Sequence, residues 1–153
     1  MNNGIRSRAL KKIRGYECKN AVISVTAADE IKKHAADAYP YECCGILFGR
    51  YDQDIPHITD TVRTENSSPE GNAGRTFHMD PLGLYEYERQ YHAKGLEILG
   101  FYHSHPDNLP VISESDDEYM IPEMVYAIVS AQSGGAGNIS FWMKDKVPSD
   151  SIK

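Results

Sequence analysis

Apolar residues recur along the chain with two different periods, which predict alternating strands and helices. Ala21 to Val25 is a short β-branched run typical of a strand, and Thr26 predicts a helix cap directly after it. Three apolar residues then recur at helical spacing and are expected to face inward: Ile31, Ala35 and Ala38. Pro40 is expected to end this first helix, because the residue before a proline disfavours helical backbone angles.

The middle of the chain predicts two neighbouring strands and a second helix. Cys43 to Tyr51 has the composition of a buried strand, and Ile58 to Glu65 alternates more weakly as its neighbour. Asn66 to Gly74 is rich in Ser, Asn, Gly and Pro, which predicts a mobile loop. Asp80–Pro81 combines a cap with a first-turn proline and predicts the start of the second helix, which Gly95 would end.

The last third of the chain predicts three more strands and a short helix. Leu96 to His103 predicts a further strand, and a short helix is expected from about Ser113. Val125 to Ala131 and Asn138 to Lys144 predict two closing strands around a Gly-rich turn. Strands interleaved with two main helices indicate an α/β fold, here a mixed β-sheet with a helix on each face.

Length and charge indicate one domain with a basic N-terminal extension. The chain has 153 residues, which suits a single domain. Residues 1–20 carry six basic side chains against Glu17 alone, so their net charge is +5 and the rest of the chain carries −11 of the overall −6. We therefore divide the chain into an extension, 1–20, and a folded domain, 21–153. The extension has three interpretations, a contact arm, a targeting peptide or a loosely ordered tail, and the mobility of termini favours the tail.

Composition also limits the classes of partner and the cellular compartment that are expected for this protein. The acidic body argues against nucleic acid as the main partner. No apolar run approaches the roughly 20 residues that span a bilayer, and the N-terminus lacks the apolar stretch of a secretory signal. The three cysteines include an adjacent pair, which is a poor basis for a disulfide framework and favours a reducing compartment. A cytoplasmic protein with no nucleic-acid or membrane partner is expected.

The segment from His103 to Asp116, HSHPDNLPVISESD, carries the candidate chemistry. Residues two apart in a strand point to the same face, so His103 and His105 present two imidazoles side by side. Two neutral imidazoles and a carboxylate oxygen of Asp116 would occupy three corners of a tetrahedral zinc site. Water would then take the fourth corner, which is typical of a catalytic site.

Two further polar residues are candidates for the catalytic work itself. Glu42 stands directly before the buried strand, where its carboxylate is a candidate general base for the attacking water and general acid for the leaving amine. Ser113 lies three residues before Asp116, and its hydroxyl is a candidate hydrogen-bond donor to the oxyanion of a tetrahedral intermediate.

Each part of this set also has a purely structural explanation. A His-x-His pair alone is weak evidence for a metal, Ser113-x-x-Asp116 matches a capping box, and a lone glutamate before a strand is most often a solvated residue. Cys43 and Cys44, beside Glu42, are expected to be small buried hydrophobic residues and not ligands. The joint spacing of the histidines, the serine and the aspartate favours the metal site.

The same residues resemble the signature of the JAMM (MPN-type) metalloprotease family. Its pattern is a glutamate, then His-x-His, seven residues, Ser, two residues and Asp, and every position matches here. The similarity extends over roughly residues 21–145, including the PYECCGILFG strand and the stretch from Arg75 to Pro81 before the second helix. The resemblance implies a cytidine-deaminase-like MPN domain, although the H-x-E and P-C-x-x-C elements of deaminase chemistry are missing from the sequence.

The resemblance also implies roles and a substrate class. Its metal ligands would be His103, His105 and Asp116, holding one Zn²⁺ per chain, with Glu42 as general acid/base and Ser113 steadying the oxyanion. The short chain is similar to the compact prokaryotic branch, whose members act on the C-terminal tail of small ubiquitin-like sulfur carriers. Zinc-dependent hydrolysis of a peptide or isopeptide bond on such a tail is therefore the expected function.

Two other functions compete with this one. A non-catalytic protein-interaction scaffold of the same fold is the main alternative, but scaffolds of this family usually lose ligands, whereas this sequence keeps the three ligands and the base. A His-x-His hydrolase built on an α/β barrel is less favoured, because such a barrel takes about 250 residues.

Overall fold

The structure, a computed structural model, describes residues 13–65 and 81–146. These residues form seven strands and three helices. The strands are β1 (Gly15–Glu17), β2 (Val22–Ile23), β3 (Cys44–Asp52), β4 (Ile55–Thr64), β5 (Glu97–Pro106), β6 (Val125–Gln132) and β7 (Gly135–Lys144). The helices are α1 (Val25–Ala38), α2 (Pro81–His92) and α3 (Glu114–Tyr119).

All seven strands belong to one mixed sheet, in the order β1-β7-β6-β5-β3-β4-β2. The pairs β5–β6 and β2–β4 are parallel, and the remaining pairs are antiparallel. Strand β5, which carries the two candidate histidines, and strand β3, which begins just after Glu42, are therefore neighbours in the middle of the sheet. The predicted α/β class with a mixed sheet and flanking helices is confirmed.

Helix α1 covers one face of the sheet. Its inward side buries Ala27, Ile31 and Ala35 against Leu47 and other strand residues. The inward positions predicted from the helical spacing are confirmed, since Ile31 and Ala35 are buried and Ala38 is partly buried against the same core. The predicted cap at Thr26 is wrong, because Ser24 is the N-cap and its hydroxyl accepts a hydrogen bond from the Ala27 amide at 3.1 Å. Both residues are good caps, and the backbone angles of Ser24 decide between them.

Helix α2 packs on the opposite face, so each face of the sheet carries a helix as expected. Leu84, Tyr87 and Tyr91 contact a second core cluster that includes Phe48 of β3. The Tyr91 ring stacks on Phe48 with their centroids 4.0 Å apart, a geometry in which aromatic pairs add to the energy of burial. This face also receives α3 and the candidate metal ligands.

Several predicted boundaries shift by a few residues. The strand predicted over Ala21 to Val25 is only Val22–Ile23, because α1 already begins at Val25. Strand β4 begins at Ile55, three residues earlier than predicted, and β7 likewise begins at Gly135. The predicted loop over 66–74 and the cap at position 80 lie outside the described residues. Among residues 13–65 and 81–146, the helices are all too short or too polar to cross a membrane.

Part of the basic N-terminal extension joins the sheet. Strand β1 pairs with β7 in antiparallel register, and the Cys18 amide donates to the Phe141 carbonyl at 2.7 Å. A loosely ordered tail is therefore wrong for Gly15–Glu17. The division at residue 20 stays a prediction, and residues 1–12 lie outside the described part of the chain.

We predict that Ile31→Ala lowers the free energy of unfolding by about 2–5 kcal/mol, because it opens a cavity where Ile31 is fully buried between α1 and the sheet. Val25→Ala is the matched control on the same helix. Val25 is 78% exposed, so its truncation should change stability by no more than about 0.5 kcal/mol. Urea denaturation of both variants measures the difference, and equal midpoints would contradict the packing described for α1.

Candidate metal centre

The C-terminal part of β5 positions the two histidines. His103 and His105 point to the face of the sheet that carries α2, whereas Ser104 between them points to the α1 face and is fully buried. Strand β6 lies parallel on one side of β5, and β3 lies antiparallel on the other. Because β5 is a central strand with partners on both sides, its backbone holds the imidazoles in fixed positions.

Helix α3 brings the carboxylate to the histidines. Ser113 is its N-cap, and the Ser113 hydroxyl accepts from the Asp116 amide at 3.0 Å. The Asp116 carboxylate in turn accepts from the Ser113 amide at 3.0 Å, which completes a capping box. The structural explanation of the Ser-x-x-Asp pattern is thus confirmed, and it does not exclude the functional one. The capping box that begins the helix also orients the Asp116 side chain toward β5.

The three predicted ligands converge on one point. The Nε2 atoms of His103 and His105 are 3.3 Å apart. Asp116 places Oδ1 3.1 Å from His103 Nε2 and Oδ2 3.0 Å from His105 Nε2. Ligands at about 2.0–2.1 Å around a tetrahedral zinc ion lie roughly 3.3 Å from one another. The donor set and its spacing therefore fit zinc, and these residues form the one such His/Cys/Asp/Glu cluster found among the described residues.

A backbone carbonyl orients one of the imidazoles. The Nδ1 atom of His105 lies 2.9 Å from the carbonyl oxygen of Leu109, in the loop that follows β5. A carbonyl only accepts, so Nδ1 carries a proton and donates it, and Nε2 is the nitrogen that faces Asp116. Metal-binding histidines commonly have this kind of partner on the nitrogen that does not bind the metal.

Burial and close contact shift the acidity of two of these groups. The side chains of His105 and Asp116 are each 11% exposed. Burial raises the pKa of the Asp116 carboxyl, but hydrogen bonds from His103 and His105 outweigh it and hold that pKa well below its usual range. Burial lowers the pKa of His105, but hydrogen bonds to Asp116 and Leu109 more than offset it, so that pKa is raised. The site therefore stabilises positive charge next to an ionised carboxylate.

Glu42 shares a cavity with the ligands. Cys44 pairs with His103 in the antiparallel register, and the Ser104 amide donates to the Cys43 carbonyl at 3.1 Å. If this pairing is extended by one more residue, Glu42 lies opposite His105. Both side chains line a cavity of about 400 Å³, together with Asn108, Leu109, Val111, Ser113, Ser115 and Asp116. Four of the five predicted residues thus line one cavity, and the fifth, His103, contacts Asp116 beside it.

Residues on the far side of β5 support this arrangement and were missed in the sequence. The hydroxyl of Ser104 accepts from the Cys43 amide at 2.9 Å, so it ties the histidine strand to the strand that starts after Glu42. Gly45 makes room for the ring of Tyr102, because a Cβ at Gly45 would lie 2.2 Å from that ring. The available signal was the position of Ser104 between two predicted ligands, because a residue there must face the other side of the sheet.

The two cysteines beside Glu42 are structural, as predicted. Cys43 and Cys44 are 4% and 3% exposed, and both are free thiols. Burial raises the pKa of each thiol to about 11, which keeps it protonated and a poor zinc ligand near neutral pH. Sequence and geometry thus agree that a metal bound at this cluster would be held by nitrogen and oxygen and not by sulfur.

Comparison with known proteins gives one family and several relatives. Residues 24–144 match the family model Prok-JAB, described as prokaryotic homologs of the JAB domain. The chain is 32% identical over 113 residues to Desampylase from Haloferax volcanii, an alignment that covers 71% of this chain and 78% of that protein. It is also 32% identical over 94 residues to COP9 signalosome complex subunit 5 from Eremothecium gossypii, over 58% of this chain and 21% of that longer protein.

Solved structures agree with the fold. A protein from Salinibacter ruber superimposes with a TM-score of 0.60 at 30% identity, covering 85% of this chain and 84% of that one. A protein from Desulfitobacterium hafniense superimposes with a TM-score of 0.61 at 25% identity, covering 76% of this chain and 88% of that one. The likeness to solved structures thus extends over most of the chain, and the range 24–144 that matches the family includes β3, β5 and α3.

Proposed function

The chain belongs to the JAMM/MPN family, in its group of prokaryotic homologues of the JAB domain, and from that premise we propose that it is a zinc-dependent hydrolase of tails on ubiquitin-like sulfur carriers. A JAMM-type isopeptidase is the enzyme class that the family and the Desampylase relative support. The convergence of His103, His105 and Asp116 on one point carries the proposal. The same convergence argues against a non-catalytic scaffold, which has no need of a complete ligand set.

We assign one zinc ion per chain to His103, His105 and Asp116. Two imidazole nitrogens and one carboxylate oxygen leave a coordination position open, as catalytic zinc sites do. Zinc, when bound, supplies a Lewis acid that polarises the scissile carbonyl and makes water more acidic. The protein's own contribution is to hold the three ligands at fixed spacing and to orient His105 through the Leu109 carbonyl.

Glu42 moves the proton in the proposed reaction. Its carboxylate takes a proton from the attacking water, the water oxygen bonds to the carbonyl carbon, and the same proton passes to the nitrogen of the leaving amine. The amide bond then breaks to give the free amine and a carboxylic acid, which loses its proton to solvent. Glu42 suits this role because it lines the cavity of the ligands yet lies just before β3, on a different segment from the histidines of β5.

Ser113 stabilises the charge that develops on the carbonyl oxygen. Its oxygen already accepts the Asp116 amide hydrogen, and the hydroxyl hydrogen remains available to donate. The residue lines the cavity at the first turn of α3, so a donor there faces bound substrate. One hydroxyl can therefore serve the helix cap and the oxyanion at the same time.

The substrate proposed is the extended C-terminal tail of a small ubiquitin-like sulfur carrier, with its adduct in amide linkage to the terminal glycine. The cavity is open and partly apolar at Leu109 and Val111, which are 75% and 49% exposed. An extended tail can enter such a cleft, and a folded polypeptide cannot. This reaction belongs to the cytoplasm, where sulfur carriers work, and needs neither nucleic acid nor membrane.

We predict that zinc-loaded Glu42→Gln keeps its metal but loses at least about a hundredfold in kcat, because glutamine cannot accept the proton. The probe is a ubiquitin-like sulfur carrier with a fluorescent amine on its terminal glycine, and released amine is measured. Glu30→Gln, an exposed change on α1, is the control and should keep the parent rate. A parent rate in Glu42→Gln would contradict the base assignment, and an inert parent enzyme would contradict the substrate class.

Ser113→Ala is predicted to lower kcat by roughly a hundredfold, as the loss of one oxyanion donor typically does. The same change removes the helix cap and should cost about 1 kcal/mol of stability. Thermal unfolding and turnover are measured on the same preparation. Ser113→Thr keeps the hydroxyl and should restore both kcat and thermal stability. If Ser113→Ala unfolds at a lower temperature but turns over at the parent rate, the oxyanion role is disproved.

A further inference from the structure

Asp117 follows the proposed ligand Asp116 in α3 and has an entirely different environment. Its side chain is buried, with the residue 6% exposed, and it faces the N-terminal strand and not the cavity. Isolated charges are costly to bury, so a buried carboxylate beside a ligand requires specific partners. The described contacts supply them.

Three donors surround Asp117. Its Oδ1 atom accepts from the backbone amides of Arg14 at 3.0 Å and Gly15 at 2.7 Å. The ammonium group of Lys144, itself only 9% exposed, lies 3.8 Å from Asp117 Oδ2 and donates to the Asp117 carbonyl at 2.6 Å. Arg14 and Gly15 at the start of β1 therefore hold the Asp117 side chain, and Lys144, the last residue of β7, contacts both its side chain and its backbone.

These partners are anchored to the sheet. Gly15 pairs with Lys144 in the antiparallel register of β1 and β7. The Lys144 carbonyl also accepts from the Glu123 amide at 2.8 Å, in the segment that leads from α3 to β6. The contacts form a continuous path from the sheet through Asp117 to α3. Arg14 and Gly15 precede the range 24–144 that matches the family, so this path uses residues outside that range.

The N-terminal segment approaches α3 very closely. A Cβ at Gly15 would lie 2.6 Å from Ile112 Cδ1 and 3.2 Å from Met120 Sδ, the residues just before and just after the helix and its cap. Ile112 and Met120 are both buried. Glycine at position 15 therefore lets β1 rest against both ends of α3 at once.

Helix α3 needs such external support. It has six residues, far fewer than the roughly 12–15 that an isolated helix needs to be even marginally stable. Its register relative to β5 nevertheless decides whether Asp116 reaches the two imidazoles. Metal sites tolerate deviations of only about 0.2 Å in ligand distance, so a small shift of this helix would matter.

We propose that Arg14, Gly15, Asp117 and Lys144 form a clamp that fixes α3 and thereby positions Asp116 for metal binding. This inference rests on the proposed role of Asp116 as a ligand. Asp117 and Lys144 are positioning residues, since neither lines the cavity. The N-terminal segment, which lies over a hundred positions away in the sequence, thus takes part in setting the metal affinity.

The test compares Asp117→Ala with Glu114→Gln in the full-length protein. Both changes remove one negative charge from α3, but position 114 is exposed. Two quantities are measured: zinc affinity by competition with a chromogenic chelator, and hydrogen exchange of the amides of 113–120 in the metal-free protein. Asp117→Ala should weaken zinc binding about tenfold or more and speed exchange in α3, whereas Glu114→Gln should change neither.

A second pair of variants tests the clamp from β1. Gly15→Val should push β1 away from Ile112 and weaken zinc binding in the same direction, while Tyr16→Val, on the exposed side of the strand, should not. Should Asp117→Ala fail to fold, Asp117→Asn takes its place. The asparagine keeps an acceptor for the two amides but loses the charge that faces Lys144, so its loss of zinc affinity should be intermediate.

The outcomes separate this inference from the proposed function. Folded Asp117 and Gly15 variants with parent zinc affinity and parent exchange in α3 would overturn the clamp. A parent protein that binds no zinc would contradict the proposed function alone, because exchange in α3 still reports whether Asp117 holds the helix. Faster exchange confined to α3 and β1, with β3 and β5 unchanged, supports the clamp.

Discussion

The site depends on one constraint: a largely buried carboxylate must meet two imidazoles that come from a different part of the fold. His103 and His105 are fixed by a central strand, and Asp116 comes from a helix of six residues. Burying that carboxylate is unfavourable unless it is hydrogen bonded. The two imidazoles and the Ser113 amide supply the hydrogen bonds, and the low pKa of Asp116 is their consequence. A site that already favours an ionised carboxylate is prepared to receive a cation.

A rigid sheet and a helix of marginal stability together position the residues of the site. The sheet holds the histidines and brings Glu42 alongside through the β3–β5 register, which Ser104 reinforces from the opposite face. Helix α3 contributes Ser113 and Asp116 but has little stability of its own, so its position is set by its capping box and by contacts with β1 and β7 through Asp117. Catalytic groups need both kinds of support, because small displacements of a ligand or a base cost activity.

Local patterns in the sequence predicted the features that depend on neighbouring residues. The alternation around His103 and His105 placed both imidazoles on one face, and the Ser-x-x-Asp spacing predicted the helix start. The cap of α1 at Ser24 was missed because two good capping residues compete there, and only the backbone angles choose between them. Asp117 and its partners were missed for a different reason. Its carboxylate bonds amides 102 and 103 positions away, and such contacts leave no periodic signal in the sequence.

The central claim is that two imidazoles and one carboxylate hold a hydrolytic metal. The most direct measurement is the zinc K-edge X-ray absorption spectrum of the zinc-loaded protein. We expect a first shell of nitrogen and oxygen only, at about 2.0–2.2 Å. We also expect outer-shell scattering from two imidazoles, which should disappear stepwise in His103→Ala and in the double variant with His105→Ala. A sulfur neighbour at about 2.3 Å, or a spectrum unchanged by both substitutions, would contradict it.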